Sequence, residues 1–254
     1  AHWRALDAHM DEALAWYQQL GIKGIKVDFM DRDDQQMVDF YHRLLAKAAE
    51  HKLLVDLHGA YHPTGLIRTY PNYLTQEGVL GAEYNKWTTR ITATHNLTLP
   101  FTRMLLGPMD YTPGGFRNVR PAAFKPQHIA PQVMTTRAQQ LAMYVVYESP
   151  FAVVSDSPEQ YENVPAAQFL RDVPASWDET RAIEGAIGEH IVLARRSGKD
   201  WYVGAMTNEQ ARTLQVPLTF LDKGTWTATI YADGAAPTEV NIETRKLTRN
   251  DTLQ

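Results

Sequence analysis

A short apolar stretch between two amphipathic segments constrains the fold of this chain more than any other feature. Residues 24–31 read Gly-Ile-Lys-Val-Asp-Phe-Met-Asp, an apolar run that is broken by charge at Asp28. Apolar residues at helical spacing precede the run over about residues 2–20, and a second helical pattern follows it from a cap at Asp33 or Asp34. A brief hydrophobic run between helices is typical of a buried parallel strand. We therefore expect a parallel α/β sheet or barrel.

The same alternation continues to about residue 154. Five strands of this kind are predicted, near residues 25–29, 53–58, 79–83, 103–109 and 151–154. A long loop rich in Gly, Pro and Tyr is predicted over residues 59–77, and a helix over about 135–148. Because a closed (β/α)₈ barrel has eight strands, five strands predict the C-terminal half of a TIM-type barrel whose first strands are missing.

The hydrophobic period changes to two after Gly188. Strands are predicted at 190–194, 201–205, 214–218, 226–231 and 239–243, with turns at 197–200 and 233–234. This pattern predicts a small antiparallel β-sandwich that is truncated at its last strand. The predicted domains are a partial barrel over residues 1–183 and the sandwich over residues 184–254.

Composition argues against several classes of function. The 254 residues carry a net charge of −4 and no block of Lys or Arg, which disfavours nucleic acid and anionic membrane surfaces as partners. No apolar run approaches the roughly 18 residues of a membrane span. The absence of cysteine excludes disulfides, zinc–cysteine sites and thiol chemistry.

Polar residues end most of the predicted barrel strands. Asp28, His58, Glu83 and Asp110 all lie at or near such an end. The carboxyl ends of barrel strands are where this fold places its chemistry, so these residues are candidates for an active site. The structural alternative is that Asp28, Asp56 and Asp110 are buried acids whose oxygens accept hydrogen bonds from the backbone.

A set of short motifs resembles glycoside hydrolase family 97 over nearly the whole chain. The motifs are Lys26 to Asp31, His58-Gly59-Ala60, Pro63-Thr64-Gly65 with Arg68 to Asn72, the acids Glu77 and Glu83, and Gly107 to Gly114. The resemblance implies a three-part protein with an N-terminal β-supersandwich, a catalytic (β/α)₈ barrel and a C-terminal β-sandwich. Residues 1–254 match the second half of the barrel and most of the last sandwich.

The resemblance also implies a mechanism. Inverting α-glucosidase members carry a Glu directly after the His of the second strand, where this chain has Gly59. Retaining, α-galactosidase-like members carry an Asp nucleophile at the position of Asp28. Glu83 matches the family's general acid/base, and Glu77 and Glu83 match positions that help to hold a calcium ion. The resemblance therefore implies a calcium-assisted retaining α-galactosidase.

The remaining expectations concern binding and location. His58, Asp56, Arg68, Trp87 and Asp110 are candidate substrate-binding residues, and the expected substrate is an α-linked oligosaccharide. The expected partner is the missing N-terminal segment of the same protein, which supplies a further calcium ligand in the family. A periplasmic or secreted location is expected from the resemblance alone.

Three competing hypotheses remain. The nearest is an inverting α-glucosidase of the same family, which the combination of Asp28 and Gly59 disfavours. The second is a metal-dependent hydrolase, suggested by Asp56-Leu57-His58 and His62 but lacking a His-x-His pair. The third is an inactive or carbohydrate-binding structural fragment, because half a barrel exposes strand edges that a closed barrel pairs.

Overall fold

The structure is a computed structural model that describes residues 1–254. The chain divides into two units. The first comprises Ala1–Gly81, Thr102–Tyr111 and Glu148–Ala152, and the second comprises Ala82–Phe101, Thr112–Tyr147 and Val153–Gln254. None of the helices combines the length and the apolar character that crossing a membrane requires.

The first unit contains three helices and one parallel sheet. In chain order its elements are α1 (Trp3–Ala8), α2 (Met10–Gln19), β1 (Gly24–Val27), α3 (Gln35–Glu50), β2 (Leu54–Leu57) and β3 (Tyr73–Gln76). The strands lie in the order β1-β2-β3, and both pairs are parallel. The predicted alternation of helix and strand is confirmed here. The single helix predicted over residues 2–20 is two helices, because His9 leaves the helical conformation at φ −132°.

Helix α3 shows why the local prediction succeeds. Asp34 is its N-cap, and the Asp34 carboxylate accepts a hydrogen bond from the backbone N–H of Met37. The predicted apolar face is fully buried, comprising Met37, Tyr41, Leu44, Leu45 and Ala48. It packs in one core with apolar side chains of α1, α2 and the sheet. Helical spacing alone identifies such a stripe, since these residues recur every three or four positions.

The third strand lies earlier than predicted. β3 (Tyr73–Gln76) falls inside the stretch predicted as a loop, and the predicted strand at 79–83 is absent. Tyr73, Thr75 and Gln76 are buried beside β2, which explains the strand. Gly78 has a positive φ of 48°, so the backbone turns before residue 79, and a 3₁₀ helix begins at Ala82.

The last two predicted barrel strands are also absent. Residues 103–106 form a 3₁₀ helix that Gly107 ends at φ 132°, and Pro108 offers no N–H for a ladder. Residues 151–154 form no strand, and the side chains of Phe151 and Val154 are almost half exposed. Apolar runs of four residues therefore misled the prediction, because neither run is buried on both faces as a parallel strand is.

The second unit contains short helices and three antiparallel sheets. Its elements are α4 (Ala93–Thr98), α5 (Arg137–Val146), α6 (Gln168–Asp172), β4 (Glu179–Ala186), β5 (His190–Ser197), β6 (Asp200–Thr207), β7 (Val216–Pro217), β8 (Trp226–Asp233), β9 (Val240–Leu247) and β10 (Thr252–Leu253). The sheets have the orders β4-β5-β6, β7-β10 and β8-β9. Antiparallel pairing after residue 188 is confirmed.

The antiparallel sheets share one core. Buried Val192 and Ala194 of β5 pack with Val216 of β7, and with partly buried side chains of the sheet β8-β9. The turn predicted at 197–200 joins β5 to β6, with Ser197 paired to Asp200. The prediction missed β4, which begins at Glu179, before the predicted domain boundary at 183/184. That boundary stays a prediction.

Candidate active site

Three neighbouring strands of the first unit end side by side. The parallel register pairs Val27 with Leu57 and Leu57 with Gln76. The residues that follow these strand ends continue the ladder, because the N–H of His58 donates to Val27 O at 2.8 Å and the N–H of Glu77 donates to Leu57 O at 2.9 Å. Asp28, His58 and Glu77 are therefore brought together at one edge of the sheet, as expected for parallel strands.

The pleat separates polar from apolar side chains on these strands. Val27, Val55 and Leu57 point into the core and are at most 1% exposed. Successive side chains of a strand alternate between its faces, so Lys26 and Asp56 lie on the opposite face, where the register places them side by side. This face collects the charged groups of the site.

His58 lies at the centre of the charged face. Its Nδ1 is 3.6 Å from Asp28 Oδ2 and 3.5 Å from Glu77 Oε2, and its Nε2 is 3.6 Å from Asp110 Oδ2. The His58 side chain is 7% exposed and that of Asp28 is 31% exposed. One buried imidazole is therefore surrounded by three carboxylates, of which only Asp28 reaches solvent appreciably.

Lys26 joins two of the buried acids. Its Nζ lies 2.5 Å from Asp110 Oδ2 and 3.6 Å from Asp56 Oδ2. Burial lowers the pKa of Lys26, but the hydrogen bond to Asp110 and the charges of the surrounding acids outweigh burial and leave this pKa raised. Lys26 is thus a firmly held ammonium ion. Lys26 is not among the site residues predicted from the sequence, although its spacing of two from Asp28 places both on one strand face.

Asp56 is the most deeply buried acid of the group apart from Asp110. Both of its carboxylate oxygens are buried without a hydrogen-bond partner. Burial and the neighbouring charge of Asp110 raise the pKa of Asp56, Lys26 opposes the rise, and the net result is a pKa of about 8. Asp56 therefore keeps its proton at neutral pH, unlike an ordinary surface aspartate.

Asp28 is oriented by the backbone around it. The N–H of Phe29 donates to Asp28 Oδ1 at 2.5 Å. Gly59 lies beside the same carboxylate at φ 63°, and a Cβ built on Gly59 would lie 3.2 Å from two backbone nitrogens and 3.3 Å from Asp28 Oδ1. The absence of a side chain at residue 59 thus leaves the space that Asp28 occupies.

Glu77 is fixed at both its carboxylate and its carbonyl. Glu77 Oε2 accepts a hydrogen bond from the N–H of Gly59 at 2.7 Å. The buried guanidinium of Arg103 donates to the carbonyl of Glu77 at 2.8 Å and to those of Gly78 and Pro108 at 3.0 Å. Arg103 therefore ties the end of β3 to the segment before Asp110. Sequence reasoning missed it, because an arginine within an apolar run carries no signal of its carbonyl partners.

Three further predicted site residues are Arg68, Glu83 and Trp87. Arg68 is exposed at the end of a 3₁₀ helix of the first unit. Glu83 and Trp87 belong to the second unit, where Glu83 Oε1 lies 3.0 Å from Lys86 Nζ. The indole of Trp87 is 50% exposed and meets the ring of Tyr84 edge-on at 5.5 Å. Trp87 is accordingly a surface aromatic residue and no part of a core.

Models of one protein family match both the N-terminal and the C-terminal part of the chain. Residues 1–79 match the family model for glycoside hydrolase 97, and residues 176–254 match the model for the glycosyl-hydrolase 97 C-terminal, oligomerisation domain. A retaining alpha-galactosidase of Bacteroides thetaiotaomicron is 43% identical over 237 residues, which are 92% of this chain and 36% of that protein. A probable retaining alpha-galactosidase of Streptomyces bingchenggensis is 40% identical over 257 residues, which are 99% of this chain and 38% of that protein.

The chain belongs to glycoside hydrolase family 97.

Solved structures of the family superpose on nearly the whole chain. A glycoside hydrolase family 97 enzyme from Pseudoalteromonas sp. strain K8, in complex with panose, matches with a TM-score of 0.86 and 36% identity over 99% of this chain and 43% of that one. A beta-arabinopyranosidase matches with a TM-score of 0.82 and 29% identity over 96% of this chain and 39% of that one. This family 97 chain thus spans well under half the length of the relatives it matches.

A side chain at residue 59 is expected to disturb Asp28. Gly59→Ala places a Cβ within 3.3 Å of Asp28 Oδ1 in a left-handed backbone, whereas Gly65→Ala meets nothing within 4 Å at φ 91°. Both changes incur left-handed strain of about 1–2 kcal/mol, so the contact with Asp28 makes Gly59→Ala the more destabilising of the two. Urea unfolding of both variants measures the difference, and equal losses would contradict this account of the site.

The raised pKa of Asp56 predicts a pH-dependent stability. Between the unfolded pKa near 4 and the folded pKa of about 8, the folded protein holds a proton that the unfolded chain releases. The free energy of unfolding therefore falls as pH rises through this window and levels off above it. Urea unfolding from pH 4 to pH 9, with a chelator present, should show a smaller fall for Asp56→Asn, and an unchanged fall for the exposed control Glu50→Gln.

Proposed function

We propose that the protein that contains this chain is a retaining α-galactosidase. The observation that carries the proposal is the pairing of Asp28 with Gly59: a partly exposed carboxylate ends β1, and a residue without a side chain lies beside it. The names of the two curated relatives support the same activity. We also propose that β1, β2 and β3 are strands of a (β/α)₈ barrel and that the antiparallel sheets form a β-sandwich.

Retention requires two carboxyl groups with different tasks. Asp28 attacks the anomeric carbon, the bond to the leaving oxygen breaks, and Glu83 gives that oxygen its proton. Water then displaces Asp28 from the sugar while Glu83 takes a proton from the water, which restores both carboxyl groups. Asp28 suits the first task because one of its oxygens already accepts a hydrogen bond from Phe29 and is thereby held in place.

The remaining charged groups act around the sugar. We place His58, Asp56, Asp110, Arg68 and Trp87 in substrate binding. His58 is positioned by the carboxylates at both of its nitrogens, so its ring orientation is restricted. Asp56 and Asp110 contribute chiefly through Lys26, whose ammonium group they hold.

An inverting α-glucosidase is the second candidate. Its support is that solved family 97 enzymes were obtained with panose and with acarbose, at 36% and 38% identity. That mechanism needs a base on the side of the sugar opposite the leaving group, and residue 59 offers no carboxylate. The proposal therefore favours Asp28 as nucleophile over a water-activating base.

The stereochemical outcome tests the mechanism. The protein for the test carries, in addition to this chain, the segments that its longer relatives have. Proton NMR of the hydrolysis of an aryl α-galactoside should show α-galactose first, with the β-anomer appearing later by mutarotation. Glu83→Gln should lower kcat by about 10²- to 10⁴-fold, the usual range for loss of a general acid. Asp28→Asn should abolish turnover. If β-galactose appears first, Asp28 is not the nucleophile.

A metal ion fits the charge of the site. Apart from the protonated Asp56, the acids Asp28, Glu77 and Asp110 lie around His58 and Lys26, so acidic side chains outnumber basic ones. We propose calcium, held by Glu77 and Glu83, because calcium takes oxygen ligands. The His58 imidazole does not suit calcium and orients Glu77 instead. When bound, the ion supplies positive charge and a fixed position for a sugar hydroxyl.

Calcium binding should depend on the charge of Glu77. Glu77→Gln keeps an oxygen that accepts the hydrogen bond from Gly59 but removes the negative charge. Calcium titration of the same longer protein by calorimetry should show at least about tenfold weaker binding for this variant, with Glu50→Gln as the matched surface control. Unchanged calcium affinity in Glu77→Gln would exclude Glu77 as a ligand, and magnesium serves to test selectivity.

A further inference from the structure

Phe29 combines three properties that neither the core nor the backbone explains. It follows Asp28 directly, its side chain is 59% exposed, and its φ is 68°. A positive φ is unusual for any residue with a Cβ and is a clear outlier for a bulky aromatic one. Strained residues of this kind persist where the surrounding structure holds them, commonly at functional sites.

The backbone contact of residue 29 does not explain its side chain. The N–H of Phe29 donates to Asp28 Oδ1, which needs only the main chain. A glycine would donate the same hydrogen bond without strain, since glycine adopts positive φ freely. The hydrogen bond therefore leaves the aromatic ring unexplained.

The ring is held but not buried. Phe29 stacks on the imidazole of His2 with ring centroids 5.3 Å apart and an interplanar angle of 17°. His2 is itself fixed, because its side chain caps α1 through the N–H of Arg4. The next residue, Met30, enters the core and is 3% exposed. The chain thus buries Met30 and leaves Phe29 on a rigid base beside the candidate nucleophile.

We propose that Phe29 is a sugar-stacking residue of the active site. A pyranose presents a face of C–H groups, which matches an exposed aromatic ring in size and polarity. The ring stacks on His2, which is itself paired with Asp28 in a β-bridge, so we place the ring beside a sugar that Asp28 attacks. This inference rests on the proposed glycosidase function. It names Phe29 as a specificity residue for the pyranoside, a role that accounts for an exposed aromatic ring on a strained backbone at φ 68°.

Four variants of the longer protein separate stacking from packing. Phe29→Ala and Phe29→Gly both remove the ring, Phe29→Tyr restores it, and Trp16→Ala removes an exposed aromatic residue elsewhere in the first unit. With an aryl α-galactoside, KM should rise about fivefold to tenfold in the Ala and Gly variants, the range of one aromatic contact. KM should stay near the wild-type value in Phe29→Tyr and Trp16→Ala, and kcat should change less than KM.

Stability supplies a second readout. Phe29→Gly should melt at a higher temperature than Phe29→Ala, because glycine relieves the left-handed strain. The expected signature is a variant that binds substrate less well without a matching loss of stability. An unchanged KM in both ring-deleted variants overturns the inference. If these variants also lose much stability, Phe29 is a packing residue.

Failure of the proposed function is recognised separately. If the wild-type protein hydrolyses no α-galactoside, the glycosidase proposal fails. Binding of methyl α-galactoside, measured by saturation-transfer NMR on wild type and Phe29→Ala, then decides the inference by itself. Weaker binding in the variant supports sugar stacking, and equal or absent binding in both proteins overturns it.

Discussion

The ion pair between Lys26 and Asp110 is the contact on which the rest of the candidate site depends. Lys26 enters from β1 and Asp110 from an irregular segment more than 80 residues later, and their side chains meet at 2.5 Å. Asp110 is nearly fully buried, so without Lys26 its charge would lack compensation in a poorly solvated place. The same ammonium group lies 3.6 Å from Asp56. One cation thus permits two buried acids to surround the histidine that faces Asp28.

This arrangement follows from a simple property of parallel strands. Their register sets Lys26 beside Asp56 on one face, and buries Val27, Val55 and Leu57 on the other. The ends of the strands then place Asp28 and the residues that follow β2 and β3 next to one another. A shift of the β1–β2 register by one residue would exchange the charged and apolar faces. The register that buries the apolar side chains is therefore the one that brings the charged side chains of the site together.

Local sequence patterns predicted part of this and missed the rest for identifiable reasons. Helix α3 is marked in the sequence by its cap at Asp34 and by apolar residues at helical spacing. Strands β1 and β2 are marked by short apolar runs between helices. β3 was hidden because its tyrosine-rich surroundings resemble a loop, and only pairing with β2 makes it a strand. Arg103 holds backbone carbonyls through tertiary contacts, which no spacing reveals.

Some of the candidate site residues are likewise visible in the sequence, and others depend on tertiary contacts. Asp28 was identifiable because a carboxylate at the end of an apolar run is visible in the sequence. Lys26 was overlooked although it is two residues away, because its importance depends on Asp56 and Asp110, which the fold brings to it. Glu77 entered only through resemblance to a family, because its strand was predicted as a loop. Glu83 was placed at the end of a predicted strand that the structure does not contain, and its role comes from the same resemblance.

Overall identity does not separate the two proposed mechanisms, whereas the geometry at residue 59 bears on them directly. The chain is 40–43% identical to relatives named as retaining alpha-galactosidases, and 36–38% identical to solved enzymes that hold panose or acarbose. These values lie too close together to decide a mechanism. A side chain at Gly59 would contact Asp28 and the two backbone nitrogens that follow it. A larger side chain at residue 59 and an undisturbed Asp28 would therefore compete for one space, and in this chain Asp28 occupies it.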